Sequence, residues 1–155
     1  LGDVVAALHL QGIRKLIIVN GHGGNSFKNM IRDLSVDFPD FLIAITNWYG
    51  IVHQEGYFEN KDDHAGELET SVMMYYHPEL VNLEEAGEGT SKPFALSSLN
   101  AQIAWLPRYW SKVSADTGIG DPRKSTPEKG ERYAKAVIEK LALLFTEIGS
   151  KEVYL

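Results

Sequence analysis

Apolar and polar positions fall into blocks that read as alternating helix and strand along the 155 residues. Residues 3–12 carry Val4, Val5, Ala7, Leu8 and Leu10 at helical spacing and stop at Gly12. Lys15-Leu16-Ile17-Ile18-Val19 is a short, almost wholly apolar run of the kind that suits a strand buried on both faces of a parallel sheet. Gly21-His22-Gly23-Gly24-Asn25 follows at once, and helical spacing resumes at Phe27, Met30, Ile31 and Leu34. Phe41-Leu42-Ile43-Ala44-Ile45 predicts a second buried strand, ending at Thr46-Asn47-Trp48. Strand, loop, helix, strand is a βαβ unit, whose crossover is right-handed with few exceptions.

A polar loop covers about 53–63. From Gly66 to His77 a helix fits through Leu68, Val72, Met73 and Tyr76, and Pro78 stops it. Residues 82–101 read as loop. Trp48, Trp105 and Trp110 are candidates to wall a flat pocket, with core packing the plainer expectation for each. Gly118-Ile119-Gly120-Asp121-Pro122 is turn-rich. The last helix has Thr126 as N-cap and Pro127 at its first position. Its apolar stripe runs through Tyr133, Val137, Leu141, Leu144 and Ile148 to Gly149. The pattern predicts an α/β fold in one domain over 1–155. Leu1, opening directly on an amphipathic stretch, reads as a start partway through a protein.

Composition narrows the function classes. Lys and Arg number 15 against 21 Asp and Glu, a net charge of −6, which disfavours sequence-independent nucleic-acid binding. The 44% hydrophobic content excludes intrinsic disorder. No apolar run is long enough to span a bilayer. The absence of cysteine excludes disulfides, thiolate catalysis and Cys-ligated metal, and fits a reducing, cytoplasmic setting.

Two segments carry candidate chemistry. His22 lies just past the end of a predicted parallel strand, where open α/β sheets gather ligands. Gly21, Gly23 and Gly24 permit positive φ or close backbone approach. One reading is a metal site with His22 as an imidazole ligand and Asn20 or Asn25 fixing the loop. Another is an anion or nucleotide loop, since Gly21-x-Gly23-x-x-Ser26 nearly completes the dinucleotide fingerprint. Against that, Ser26 replaces the third glycine and the next strand ends at Asn47 rather than an acid. The second segment, Asp62-Asp63-His64-Ala65-Gly66-Glu67-Leu68-Glu69, is a loop feeding a helix, with Glu69 placed to point back at His64. Carboxylates with imidazoles suit zinc- or manganese-type sites and proton transfer. The plainer reading is a helix start capped by Asp62 or Asp63. His9 and His77 read as surface or packing residues, and His53 as structural or exposed, with a pocket lining as the alternative. Asp121 reads as turn chemistry, and Arg123 and Lys124 as a solvated basic pair.

Taken together, Asn20-Gly21-His22-Gly23-Gly24-Asn25 and His64-Ala65-Gly66-x-x-Glu69-Thr70-Ser71 resemble the creatininase (creatinine amidohydrolase) family. Gly120-Asp121-Pro122 with Thr126-x-Glu128-Lys129-Gly130 adds a third match in the same order, and the resemblance covers essentially the whole chain. It implies a three-layer α/β/α sandwich with a mainly parallel sheet. It also implies a metal-dependent hydrolase of a non-peptide carbon–nitrogen amide bond in a small molecule. A hexamer is common in the family, and two divalent ions, zinc or manganese, are expected. By the resemblance His22 is a metal ligand, His64 the proton donor or acceptor with Asp63 beside it, and Glu69 a ligand or the partner of one. The chemistry it implies is attack of metal-bound hydroxide on the carbonyl, with His64 protonating the departing nitrogen.

Two departures bear on this. Creatininases proper carry a Tyr-Glu pair after the motif histidine, where this chain has Gly23 and Gly24, so creatinine is not the expected substrate and Glu69 gains weight as a ligand. The family's N-terminal third carries a Glu-x-His pair and an Asp that complete both metal sites. Residues 1–155 are therefore expected to be the C-terminal two thirds of such a protein. The competing expectations are a non-catalytic nucleotide- or anion-binding domain and an inactive fragment. No nucleic-acid or membrane partner is expected.

Overall fold

A computed structural model describes residues 1–61 and 63–154, in two compact units. The first comprises Leu1–His53 and the chain from Ala136, and the second Gln54–Lys135.

In the first unit, helix α1 (Gly2–Leu10) leads to strand β1 (Lys15–Asn20), helix α2 (Lys28–Asp37) and strand β2 (Leu42–Asn47). Gly12, at φ +83°, turns the chain after α1 in a conformation that favours glycine. The strands pair in parallel with Lys15 opposite Leu42 and Asn20 opposite Asn47, which is the expected βαβ unit. They are only half-buried, with Val19 44% exposed, against the expectation of burial on both faces. The reason is architectural: among the described residues the sheet has two strands, too few to be covered on every side. Val5 of α1 and Phe41 at the mouth of β2 are buried. His9 is a packing residue, its ring 5.4 Å from that of Phe38 and its Nε2 3.0 Å from Asp40 Oδ1. Lys15 Nζ donates to Ile148 O at 2.7 Å, satisfying a carbonyl in the last turn of the C-terminal helix.

In the second unit, helix α3 (Glu67–Tyr76) precedes two single turns, α4 (Ser97–Asn100) and α5 (Trp110–Val113), and the start of helix α6 (Pro127–Ser150). Thr126 Oγ1 accepts the Lys129 N–H at 3.2 Å, the N-cap the sequence calls for. Helices α3 and α6 pass so closely at Gly130 that a Cβ there would lie 1.9 Å from Ser71 O. The buried Ser71 hydroxyl accepts Thr126 N–H at 3.2 Å across the same contact. Leu68 and Tyr133 form the core, the Tyr133 ring meeting those of Tyr57 and Phe58 at 5.4 and 5.2 Å. Burial of each such side chain is worth about 1.5–3 kcal/mol. Trp105 departs from the packing expectation: it is 85% exposed, on a segment without regular structure.

Candidate active site

The His22 loop is built from neutral amides. Asn20 ends β1 almost fully buried, and its Nδ2 donates to Asn47 Oδ1 at 2.8 Å and to His22 O at 2.9 Å. Its Oδ1 accepts from Asn25 Nδ2 at 2.9 Å and from His22 N–H at 3.3 Å. One side chain thus satisfies the turn from both ends, as buried amides require. His22 folds back over the loop, with Nδ1 accepting Gly24 N–H at 3.0 Å. A Cβ on Gly24 would stand 2.7 Å from His22 Cε1, so glycine lets the imidazole lie against the loop in this pose. None of Gly21, Gly23 and Gly24 has a positive φ, which corrects the conformational reason the sequence offers for them. With the Gly24 amide on His22 and the Asn25 amide on His22 O at 3.1 Å, the loop spends on itself two donors that an anion cradle would use.

The second segment is held by charges and by one strained residue. Asp63 and His64 N–H groups both donate to Ile119 O, at 2.9 and 3.0 Å, and Ile119 N–H returns to His64 O at 2.8 Å. Ala65 adopts φ +52°, a left-handed conformation that costs a residue with a Cβ about 1 kcal/mol. Glu69 Oε2 accepts its N–H at 2.7 Å, and Thr70 Oγ1 donates to its carbonyl at 3.3 Å, which holds the strain in place. The same Glu69 oxygen is 4.0 Å from His64 Nδ1. Helix α3 has no side-chain cap at Gly66, and Asp63 does not cap it; the first-turn acid Glu69 reaches back instead. Asp62, the other candidate cap, lies outside the described residues.

Asp63 forms an ion pair with Arg108, whose guanidinium carbon lies 5.7 Å from the centroid of the Trp110 ring. Trp110 in turn packs on His64, ring centroids 4.9 Å apart. Arg108 is absent from the sequence reading because 45 residues separate it from its partner and no motif surrounds it. Glu67 and Glu69 differ in burial. Glu67 is fully buried, accepts Glu59 and Asn60 N–H at 3.0 and 2.8 Å, and meets Lys129 Nζ at 2.5 Å. That hydrogen bond raises the Lys129 pKa above its ordinary value. Glu67 is a structural anchor, while Glu69 lines a cleft of about 420 Å³. Arg123 and Lys124 are paired rather than simply solvated: Arg123 binds Asp121 and Glu88, and Lys124 binds Glu59. Hydrogen bonds from Arg123 hold the Asp121 pKa down to about 2.

Imidazole nitrogen and carboxylate oxygen are donors that suit zinc or manganese, so His22 and Glu69 are each, taken singly, of a kind that fits such a metal. In the neutral His22 ring the Gly24 bond leaves the proton on Nε2. A metal would therefore take Nδ1 in place of the Gly24 amide, or Nε2 once the ring proton has moved. Among the described residues no three His, Asp or Glu side chains come together as a metal-holding group.

The creatininase family profile, creatinine amidohydrolase, matches residues 1–145. A Bacteroides fragilis NCTC 9343 protein provisionally described as a creatinine amidohydrolase, solved at 2.11 Å, is 61% identical. It superposes with a TM-score of 0.94 over 99% of this chain and 61% of its own. The mycofactocin precursor peptide peptidase of Mycobacterium ulcerans (strain Agy99) is 30% identical over 129 residues, 81% of this chain and 45% of its own length. Creatininase solved as a variant of the Zn–Zn type and in a Mn form superposes at TM-scores of 0.72 and 0.70. Those two are 22% and 21% identical, and each match covers 93% of this chain and 60% of theirs. The chain spans about half the length of the curated relatives it matches.

Proposed function

The chain belongs to the creatininase family and has its α/β fold, and from that premise we propose that the full-length protein is a metal-dependent amidohydrolase acting on a carbon–nitrogen amide bond of a small molecule. The observation that carries this reading is the conjunction at His64: Glu69 at 4.0 Å, Asp63 next in sequence, and a strained Ala65 between the two ends of the segment. Strain held by surrounding bonds is characteristic of sites shaped for function.

In this reading His22 and Glu69 each serve as a metal ligand, and the Zn–Zn and Mn forms of creatininase support zinc or manganese. When bound, the metal supplies Lewis-acid activation of water and of the substrate carbonyl. His64 moves the proton to the departing nitrogen, with its ring orientation set by Trp110 on one face and by Glu69 at Nδ1. Asp63, tied to Arg108, holds His64, the residue after it, in place. A homo-oligomer, hexameric by family resemblance, and a cytoplasmic setting complete the proposal. The setting is supported by the absence of cysteine and, among the described residues, of any helix long and apolar enough to cross a membrane.

The test is His22→Ala in the metal-saturated full-length protein. Removing a ligand forfeits several kcal/mol of transition-state stabilisation, so turnover should fall on the order of 10³-fold while the melting temperature stays within a few degrees. Retained turnover would sink the assignment. A peptide amide is a second substrate class, favoured by the relative named as a precursor peptide peptidase. Assaying short peptides beside cyclic amides and formamides separates the two.

A further inference from the structure

The cleft beside Glu69 is not accounted for by proton transfer or metal binding. It encloses about 420 Å³ within the second unit, inside the size range of sites that take small organic molecules. Its apolar lining comes from Met73, Leu80 and Leu83, and three carboxylates line it as well: Glu69, Glu85 and Asp116. No Lys, Arg or His lines it among the described residues. The nearby cation Arg123 is already committed to Asp121 and Glu88.

Asp116 is held in a fixed pose. Its Oδ1 accepts from Ser114 Oγ at 3.0 Å and from Gly118 N–H at 3.1 Å, and Ser114 is itself buried. Oδ2 is turned toward Gly87, so close that a Cβ there would lie 1.9 Å away. Gly89 packs on Gly120 in the same way, a Cβ on it falling 1.8 Å from Gly120 O. The two loops that form the wall are therefore locked together by glycine contacts.

We infer that this cleft binds the cationic arm of the substrate: a compact apolar body ending in an ammonium, amidinium or guanidinium group. An organic cation with an apolar stem matches both the apolar lining and the charges, whereas an anion meets three carboxylates and, among the described lining residues, no counter-charge. Should Glu69 be occupied by metal, Asp116 and Glu85 still supply the preference. The inference rests on the hydrolase reading only in calling the bound arm the substrate's.

The experiment uses the full-length protein, treated with chelator, and three probes of one shape: benzamidine, benzyl alcohol and benzoate, each titrated by calorimetry. Benzamidine should bind about tenfold more tightly than benzyl alcohol, and benzoate more weakly than either. Glu85→Gln with Asp116→Asn removes two of the three carboxylates and should cut the tenfold preference to about twofold, leaving benzyl alcohol unchanged. Equal affinities for the three probes, or a preference left undiminished by both substitutions, would overturn the inference. So would displacement of benzamidine by millimolar calcium, which would make the cleft a metal site. The probe series needs no variant, so a misfolded double mutant does not remove the test. Charge-dependent binding in a protein without amide turnover keeps the cleft and sinks the hydrolase reading; turnover without charge preference does the reverse.

Discussion

The loop bearing His22 and the segment bearing His64 are built on opposite principles. Around His22 the bonds are neutral: Asn20, Asn47, Asn25 and backbone amides close a network about one buried side chain. Around His64 the framework is ionic. Asp63 pairs with Arg108, Glu69 holds Ala65, and the buried Glu67 gathers Lys129 and two backbone amides from residues 59 and 60. A neutral network presents an imidazole without adding local charge, which suits a residue proposed to meet a cation. An ionic framework sets the field where a proton is proposed to move. Neither device is visible from the histidines themselves.

The largest expected effect comes from breaking the ionic framework at its buried point. Glu67→Ala leaves Lys129 short of a partner and two backbone donors unsatisfied, and should cost about 3 kcal/mol in denaturant unfolding. A loss below about 1 kcal/mol would show that the anchor matters little. Asn20→Ala breaks the neutral network and should cost about 2 kcal/mol, because up to four hydrogen bonds go with it while the partners at the surface recover water. The sharper comparison is salt. The Asn20→Ala loss should be the same at low and high ionic strength, since no charge is removed. A loss that changed with salt would contradict the neutral account of the His22 loop.

Much of this was legible in advance, for reasons that differ by element. The βαβ unit and α6 rest on local signals: apolar runs of strand length, helical periodicity, and the Thr126-Pro127 start. The family was legible because its motifs occupy short contiguous stretches, and Glu69 could be favoured over Glu67 on the motif alone. What was not legible depends on distance. The Lys129 partner of Glu67 is 62 residues away, and the Arg108 partner of Asp63 is 45 away. Of the two reasons the sequence offers for Gly24, close approach holds and positive φ does not, because a glycine that makes room for its neighbour's ring and one needed for its own φ look identical in sequence. Trp105 was expected in the core because aromatic residues usually gain by burial, yet it is exposed on the surface of its unit.

The smallest effect tests the ionic side of the comparison at its exposed rim. Asp121 accepts Arg123 N–H at 3.0 Å as a turn cap and also takes the guanidinium at Nε and Nη2, at 2.9 and 2.7 Å. Asp121→Asn keeps an oxygen for the cap and removes the charge, so the variant isolates the ion pair. The folded pKa lies at about 2, below the ordinary 3.8, chiefly through the Arg123 hydrogen bond. A depressed carboxylate pKa means stability that is complete above pH 3.8 and is lost as pH falls through 2. The wild type should therefore melt about two degrees above the variant near neutral pH, with the gap closing between pH 4 and 2. Added salt should narrow the gap at neutral pH, because the pair is exposed. A gap that persisted at pH 2, or that ignored salt, would mean that the variant loses something other than the Arg123 ion pair and that the ionic framework ends at Glu67.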